Sequence, residues 1–320
     1  MLIETLSTFP HMYDSVMGES MMKRAQEKGI LEFRAHDLRD WTHDRHRTTD
    51  DDPYGGGAGL VMKCDPIFEA VEAILGKGFV KAKLAAIVGE LGEDVGCPDR
   101  ASSADGIEGA ENLGENAHAA FDTSEDCLSE SGYPTSSPQG ELQQHRPQIV
   151  FLAPQGRPFD DAYADKLAAA DHLLFICGHY EGIDERVYTL ADHVISLGDY
   201  VLTSGELASM VVIDAAVRKL PGVLGAAEGP VDESFTSGLL EYPQYTRPAD
   251  FRGMAVPEVL TSGNHAAIAR WRREQSLART AAARPDLIAA AEAAGRLTPA
   301  DQKFLKLLEP APTGAAEGVS

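Results

Sequence analysis

Leu197-Gly-Asp-Tyr-Val-Leu-Thr-Ser-Gly-Glu-Leu207 is the stretch whose reading decides the fold. It joins a strand-like segment, residues 193–196, to a clearly helical one, residues 209–219, through a turn holding two glycines. Two similar turns precede it, Phe151-Leu-Ala-Pro-Gln-Gly156 and Cys177-Gly-His-Tyr-Glu-Gly182. Small-residue loops at the carboxyl ends of successive strands are what a parallel sheet uses to hold a small molecule by its backbone. Three of them in order, each a βα unit apart, predict an α/β fold with a ligand cleft formed by the loops.

Outward from these turns the pattern continues. Residues 148–152 read as a strand, 160–170 as a helix, 172–177 as a strand, 184–190 as a short helix and 193–197 as a strand. A helix over 206–220, ended by Pro221-Gly222, is expected to bury Leu207, Met210, Val211, Ile213 and Val217. Upstream, a β-like start at 2–9 leads to a helix at 12–28 and a strand at 31–36. A charged, glycine-rich loop at 43–59, a strand at 60–62 and a helix at 67–75 follow. Residues 226–250 lack periodicity and read as a linker. From Pro257 onward the patterns are helical, over 264–283, 286–294 and 299–308, with Asn264, Asp286 and Thr298 as N-caps. The expected organisation is an α/β domain at 1–225, a linker at 226–250 and a smaller helical domain at 251–320.

The chain has 320 residues and a net charge of −22, which taken globally argues against a nucleic-acid partner. The distribution changes that conclusion. Residues 86–147 carry thirteen acidic side chains against Arg100 and Arg146, half of the net charge. This segment is rich in Gly, Ser and Asn and shows no sustained period, so it reads as a disordered acidic insertion and spacer. Residues 244–285 instead carry Arg247, Arg252, Arg270, Arg272, Arg273, Arg279 and Arg284 against Asp250, Glu258 and Glu274, which leaves a local basic face. No apolar run approaches the ~20 residues of a membrane span, and the start Met-Leu-Ile-Glu lacks the features of a secretory signal. Cys64, Cys97, Cys127 and Cys177 have no paired spacing and read as reduced thiols, so a cytoplasmic location is expected, with no membrane partner and no metal site.

The segments GHYEGIDERV, LGDYVLTSGEL, LPGVLG and LLEYPQYTRP closely resemble the bacterial tRNA (guanine-N1)-methyltransferases, which modify guanosine 37 beside the anticodon. Thr8-Phe-Pro-His-Met12 and Pro53-Tyr-Gly-Gly-Gly-Ala-Gly-Leu-Val-Met62 fit the same family. The resemblance covers roughly residues 1–80 and 148–285. It implies a trefoil-knotted parallel sheet of the SPOUT type with a smaller all-α C-terminal domain, S-adenosylmethionine as methyl donor and tRNA as substrate, with a guanosine preferred at position 36. It further implies a homodimer whose active sites lie between subunits, and a dependence on magnesium.

Carried over position by position, the resemblance places the cofactor against Leu152, Pro154, Gly178, Tyr180, Glu181, Gly182, Leu197, Gly198, Asp199, Tyr200, Val201, Leu202 and Gly205. Ser204 and Ala208 stand where the family commonly has Gly and Pro. His179 stands at a site often arginine and receives no role; Asp184 and Glu185 are explained as first-turn charges of a helix. Methylating N1 of guanine requires removing the N1 proton, which leaves negative charge toward O6. The reaction therefore asks for a carboxylate base and a cation. Arg218, three residues before Pro221-Gly-Val-Leu-Gly225, takes the position of the family's catalytic arginine. The base is Glu233, which precedes Ser234-Phe235, or the adjacent Asp232.

RNA contacts are expected from Arg270, Arg272, Arg273 and Arg279, with Ile268 and Trp271 facing a core, and from Arg247 in the linker. Arg45, His46, Arg47 and Tyr54 flank the glycine loop as further candidates. Competing functions are an RNA-binding protein without catalysis, a related methyltransferase for another RNA position, and a nucleotide-dependent oxidoreductase on Gly55–Gly59. The last lacks the G-x-G-x-x-G order.

Overall fold

The computed structural model describes residues 1–92, 146–224 and 233–308. The strands are β1 (Leu2–Ser7), β2 (Glu32–Asp37), the two-residue β3 (Asp50–Asp51) and β4 (Val61–Met62), then β5 (Gln148–Pro158), β6 (His172–Ile176) and β7 (His193–Ser196). Five of them form one sheet in the order β2-β1-β6-β5-β7, and every pairing in it is parallel. The chain steps from β5 to β6 on one side and then to β7 on the other, so the strand order reverses at β5. In an open α/β sheet such a reversal leaves a crevice outside the carboxyl ends of the strands.

Strand periodicity feeds two cores. Leu173 and Phe175 of β6 point into a cluster with Tyr13, Met22, Leu167, Val212, Ile213 and Val217, while Leu174 and Ile176 point into one with Leu38, Ile67, Val71, Val187 and Leu190. The near-continuous apolar strands follow, because a parallel sheet is covered on both faces.

The N-terminal helix expected over 12–28 is broken into a 3-10 turn at Pro10–Tyr13, α1 (Asp14–Met17) and α2 (Ser20–Glu27). Gly18 caps α1, and Ser20 takes φ +49°, which no continuous helix allows. α3 (Cys64–Leu75) starts three residues earlier than expected, and α4 (Lys77–Gly92) is an additional helix whose backbone enters the acidic segment. The disordered insertion expected there falls on residues outside those described from 93 to 145, as do Cys97 and Cys127; Cys64 and Cys177 are free thiols.

β5 runs past the turn expected at Gly156 and resumes pairing with β7 after a register shift between Leu152 and Arg157. The excursion puts Gly156 directly on the β7 backbone, where an added Cβ would lie 2.5 Å from Ile195. After β5 comes α5 (Asp161–Ala168), N-capped by Asp160, whose carboxylate accepts from the Tyr163 amide at 2.7 Å. Residues 185–190 form a 3-10 helix capped by Asp184.

α6 (Gly205–Val217) follows β7. It buries Glu206, Ala208, Ser209, Val212, Ile213, Ala216 and Val217, whereas Leu207 and Val211 are exposed, at 44% and 54%. The expected inward face was therefore wrong for those two. The helix is apolar almost all round, so periodicity could not choose the face, and the small residues Ala208, Ser209 and Ala216 are on the buried one.

Beyond the segment 233–249, which holds no helix or strand, a small hairpin of β8 (Asp250–Phe251) and β9 (Met254–Ala255) precedes α7 (Glu258–Thr261). Then follow α8 (His265–Ala283), α9 (Pro285–Ala293) and α10 (Pro299–Leu308). Asn264 caps α8 through the Ala267 amide (3.1 Å), and Thr298 and Asp301 exchange reciprocal capping bonds. Arg284 rather than Asp286 occupies the cap of α9; Asp286 sits in its first turn, paired with Arg284. Leu239, Leu277 and Ala291 form the buried centre of this region, with Ile288, Leu297, Phe304 and Leu305 around it.

Candidate functional site

The three loops meet. Gly205 donates its amide to the Gly178 carbonyl at 2.8 Å, and His179 and Ser204 form an isolated β-bridge. Phe159 donates to the Ser196 carbonyl (2.9 Å), fastening the first loop to the third. The N-terminal glycine loop joins them, with the Glu181 amide bonded to Leu60 O (3.1 Å) and the Met62 amide to Gly182 O (3.0 Å). Gly59 is obligatory there: its φ is +91°, and a Cβ would fall 2.4 Å from the Glu181 side chain.

Between the loops opens a cleft of about 190 Å³. Leu152, Pro154, Gly178, Tyr180, Glu181, Gly182, Leu197, Gly198, Tyr200, Val201, Leu202 and Gly205 all line it. Asp199 does not; the turn closed by the Tyr200 amide on Gly198 O (2.9 Å) carries it past the cleft. Tyr180, Tyr200 and Leu202 are half-exposed in its mouth. Ser204 is buried, and its hydroxyl has no hydrogen-bond partner. It therefore offers an unused polar group against apolar walls, which suits a ligand with one flat apolar part and a few polar atoms. Cys177 below is not a candidate nucleophile, because burial pushes its thiol up to about 12.

Sequence reasoning missed a buried polar cluster that reaches this cleft through His179. Glu206 is fully buried; its Oε1 accepts from the Ser7 hydroxyl and from His179 Nε2 at 2.9 Å. Oε2 lies 2.7 Å from the same nitrogen without hydrogen-bond geometry. Phe9 lies against the imidazole at 5.1 Å between ring centroids. The signal in the sequence was Glu206 itself, a charge near the start of a helix otherwise almost wholly apolar.

Burial pushes the Glu206 carboxyl upward, but the bonds from His179 and Ser7 outweigh it and hold the group below its usual value. A carboxylate depressed by folding contributes stability that is present above the unfolded pKa and lost as pH falls through the folded one. The unfolding temperature is therefore expected to drop as pH falls below the ordinary value of 4.5, and Glu206→Gln to flatten that dependence. Thermal melts between pH 3 and 7 check this, on the order of the ordinary carboxylate range; equal slopes in both proteins would refute it.

The other two candidates lie together elsewhere. Arg218, the residue at the carboxyl end of α6, forks onto Glu233, with Nη1 to Oε2 at 2.6 Å and Nη2 to Oε1 at 2.7 Å. Both side chains are about one-third exposed. The segment after Glu233 is tied to α8 by the Leu240 amide on Thr280 Oγ1 (2.9 Å) and by Arg279 on Glu241 O (3.0 Å). Asp232 lies outside the described residues. The cleft begins at the amino end of α6, so at 1.5 Å per residue the Gly205–Arg218 separation is about 20 Å.

Of the arginine candidates, Arg273 forks onto Asp301 (3.1 and 2.9 Å), Arg270 reaches Glu274 at 3.9 Å, and Arg47 pairs with Asp40. Ile268 and Trp271 are only half-buried; they wall a second cavity instead of joining the core around Leu277. Tyr54 is fully exposed. Among the described residues no group of three or more His, Cys, Asp or Glu could hold a metal ion, and no helix is long and apolar enough to cross a membrane.

The family described as tRNA (Guanine-1)-methyltransferase TrmD matches residues 1–94 and 134–290. A tRNA (guanine-N(1)-)-methyltransferase of Limosilactobacillus reuteri is 43% identical over 292 residues, covering 91% of each chain. One of Symbiobacterium thermophilum is 43% identical over 306 residues, covering 96% of this chain and 97% of its own. Another, of Geotalea uraniireducens, is 42% identical over 97% of both. With a match over most of its length to the family and to relatives of this similarity, the chain belongs to the tRNA (guanine-1)-methyltransferase TrmD family.

Proposed function

We propose that the protein transfers a methyl group from S-adenosylmethionine to N1 of guanosine 37 in tRNAs carrying guanosine at position 36. Family membership supports the reaction class and the tRNA substrate. The observation that carries the chemistry is the forked Arg218–Glu233 pair. N1 of guanine is a weak acid, and its nucleophilic form is the anion. Glu233 accepts the N1 proton, while the Arg218 guanidinium releases one or both of its bonds to Glu233 and turns to O6, where the charge collects. Pairing in the absence of RNA pre-aims both groups.

When bound, S-adenosylmethionine supplies an electrophilic methyl group on a sulfonium that leaves as a neutral thioether. The cleft fits such a molecule. Leu152, Leu197 and Leu202 would flank a flat ring, backbone groups of Gly178, Gly182 and Gly205 would meet its polar edge, the unpartnered Ser204 hydroxyl would supply a hydrogen bond, and Glu181 would attract an ammonium. No step is assigned to magnesium, for which the described residues offer no ligand cluster.

The cleft and the Arg218–Glu233 pair stand at opposite ends of α6, too far apart to act on one base. A second copy of the chain, turned about a two-fold axis, would bring the pair of one to the cleft of the other. Leu207 and Val211, exposed along α6 with Val201 near its start, suit such an interface. We take the sheet to be knotted through its three cleft loops, the C-terminal helices to form the tRNA-binding domain, and the protein to act in the cytoplasm.

The experiment is methyl transfer from labelled S-adenosylmethionine to a tRNA transcript carrying guanosines 36 and 37, with guanosine 37 changed to adenosine as control. Label in the first transcript alone is expected. Equal labelling of both, or cofactor binding without transfer, would overturn the proposal.

A further inference from the structure

The C-terminal arginines divide by their partners. Arg270, Arg273 and Arg284 reach carboxylates and Arg279 reaches a backbone carbonyl. Arg247, Arg252 and Arg272 have no carboxylate partner among the described residues. Two of these, Arg247 and Arg272, line a second cavity of about 520 Å³, built on residues 242–272 and lined by none of the residues of the first cleft. Its walls include Tyr242, Tyr245 and Trp271. Arg272 lies over the Tyr242 ring at 4.7 Å, and the rings of Tyr245 and Trp271 stand 6.3 Å apart, tilted by 52°. Tyr245 is 49% exposed, and both arginines are exposed.

A tyrosine ring half in water offers an unused π-face. An arginine stacked on an aromatic ring, rather than ion-paired, keeps its N–H donors for a ligand. A bare anion would have no use for three aromatic walls, and an apolar peptide would have none for two unpaired cations. A single unpaired nucleotide uses both, with the base on an aromatic face and the phosphate on guanidinium groups.

We propose that this cavity takes one unpaired anticodon-loop nucleotide of the tRNA, other than the guanosine that is methylated, its base stacked on Tyr245 and its phosphate held by Arg247 and Arg272. The assignment rests on the tRNA reading above and deepens it: the cavity reads the single-stranded form of the loop and fixes its register while the target base leaves the stack. Stacking of this kind tolerates any base, so it adds affinity without sequence preference.

The test uses the full-length protein and the tRNA transcript with guanosines 36 and 37, with an abasic residue placed singly at each other unpaired position of the anticodon loop. Dissociation constants are measured for wild type and Tyr245→Ala, with Arg272→Ala repeating the comparison should the first variant prove unstable. Tyr245→Ala is expected to weaken binding of the intact transcript about tenfold. One abasic transcript should weaken wild-type binding by a similar factor, and the two losses should not add. Wild-type binding by Tyr245→Ala, or full additivity at every abasic position, overturns the assignment while methylation of the intact transcript leaves the functional reading standing. Failure of the wild type to bind or methylate that transcript overturns both.

Discussion

Glu233→Gln is expected to slow methyl transfer by roughly 10²–10⁴-fold, the usual worth of a positioned general base, with tRNA and cofactor affinities little changed. The substitution is nearly isosteric. The amide oxygen can still accept one bond from Arg218, so the local geometry of the 2.6 and 2.7 Å fork is largely kept, and what disappears is the ability to take a proton. Single-turnover rates with saturating tRNA measure this directly. A rate within a few-fold of wild type, together with loss in Asp232→Asn, would move the base to Asp232. Arg218→Lys should fail to restore the rate, because a point charge cannot hold O6 and the carboxylate with one planar fork. The double variant Glu233→Gln, Arg218→Lys should lose little more than the worse single one, as groups acting on one charge redistribution do.

The same variant examines the arrangement between copies. A heterodimer of Glu233→Gln with Leu202→Asp, a half-exposed cleft residue, contains one intact site if cleft and pair come from different chains, and none if they come from the same chain. Recovery of activity on mixing two inactive proteins is the expected outcome.

Gly205→Ala is expected to abolish cofactor binding, by about 100-fold or more, although helix propensity alone favours alanine over glycine by about 1 kcal/mol. Geometry decides the sign. A Cβ at Gly205 would stand 2.7 Å from the Gly178 amide nitrogen and 2.9 Å from the Cys177 Cα, and both are backbone. Neither can rotate away, so the second and third loops must part. The 2.8 Å bond from Gly205 to Gly178 and the His179–Ser204 bridge would be lost with them. Overpacking of this kind costs on the order of 1–3 kcal/mol in stability. Calorimetric titration with S-adenosylhomocysteine and a thermal melt check both consequences. Unchanged affinity at an unchanged melting temperature would mean that the loops can separate freely, and that their contact does not build the cleft.

The positions of the loops were legible because their chemistry is local. Glycines that end strands and small residues that begin a helix carry the same meaning in any context. The face of α6 was not legible, since a helix apolar all round presents no period, and the small residues that fit the sheet were recognised only against it. Gly156 and Gly205 carry sequence signals of turns alone; their reason for being glycine is a backbone from a distant segment within 3 Å. The hairpin at Asp250–Ala255 is too short for two-residue alternation to reveal.

The sequence by itself determined the class of fold and the positions of the cleft loops, because each follows from neighbours in the chain; Arg218, and Glu233 or Asp232, entered only as what the family resemblance implies. Only the tertiary structure decided that Arg218 and Glu233 fork onto each other, that Ser7 and His179 converge on buried Glu206, and that Arg272 stacks on Tyr242 while Arg273 faces Asp301. The physical reason is that an ion pair or a stack depends on distances of a few ångströms between residues up to 199 positions apart, and those distances are set by packing, which no local pattern records.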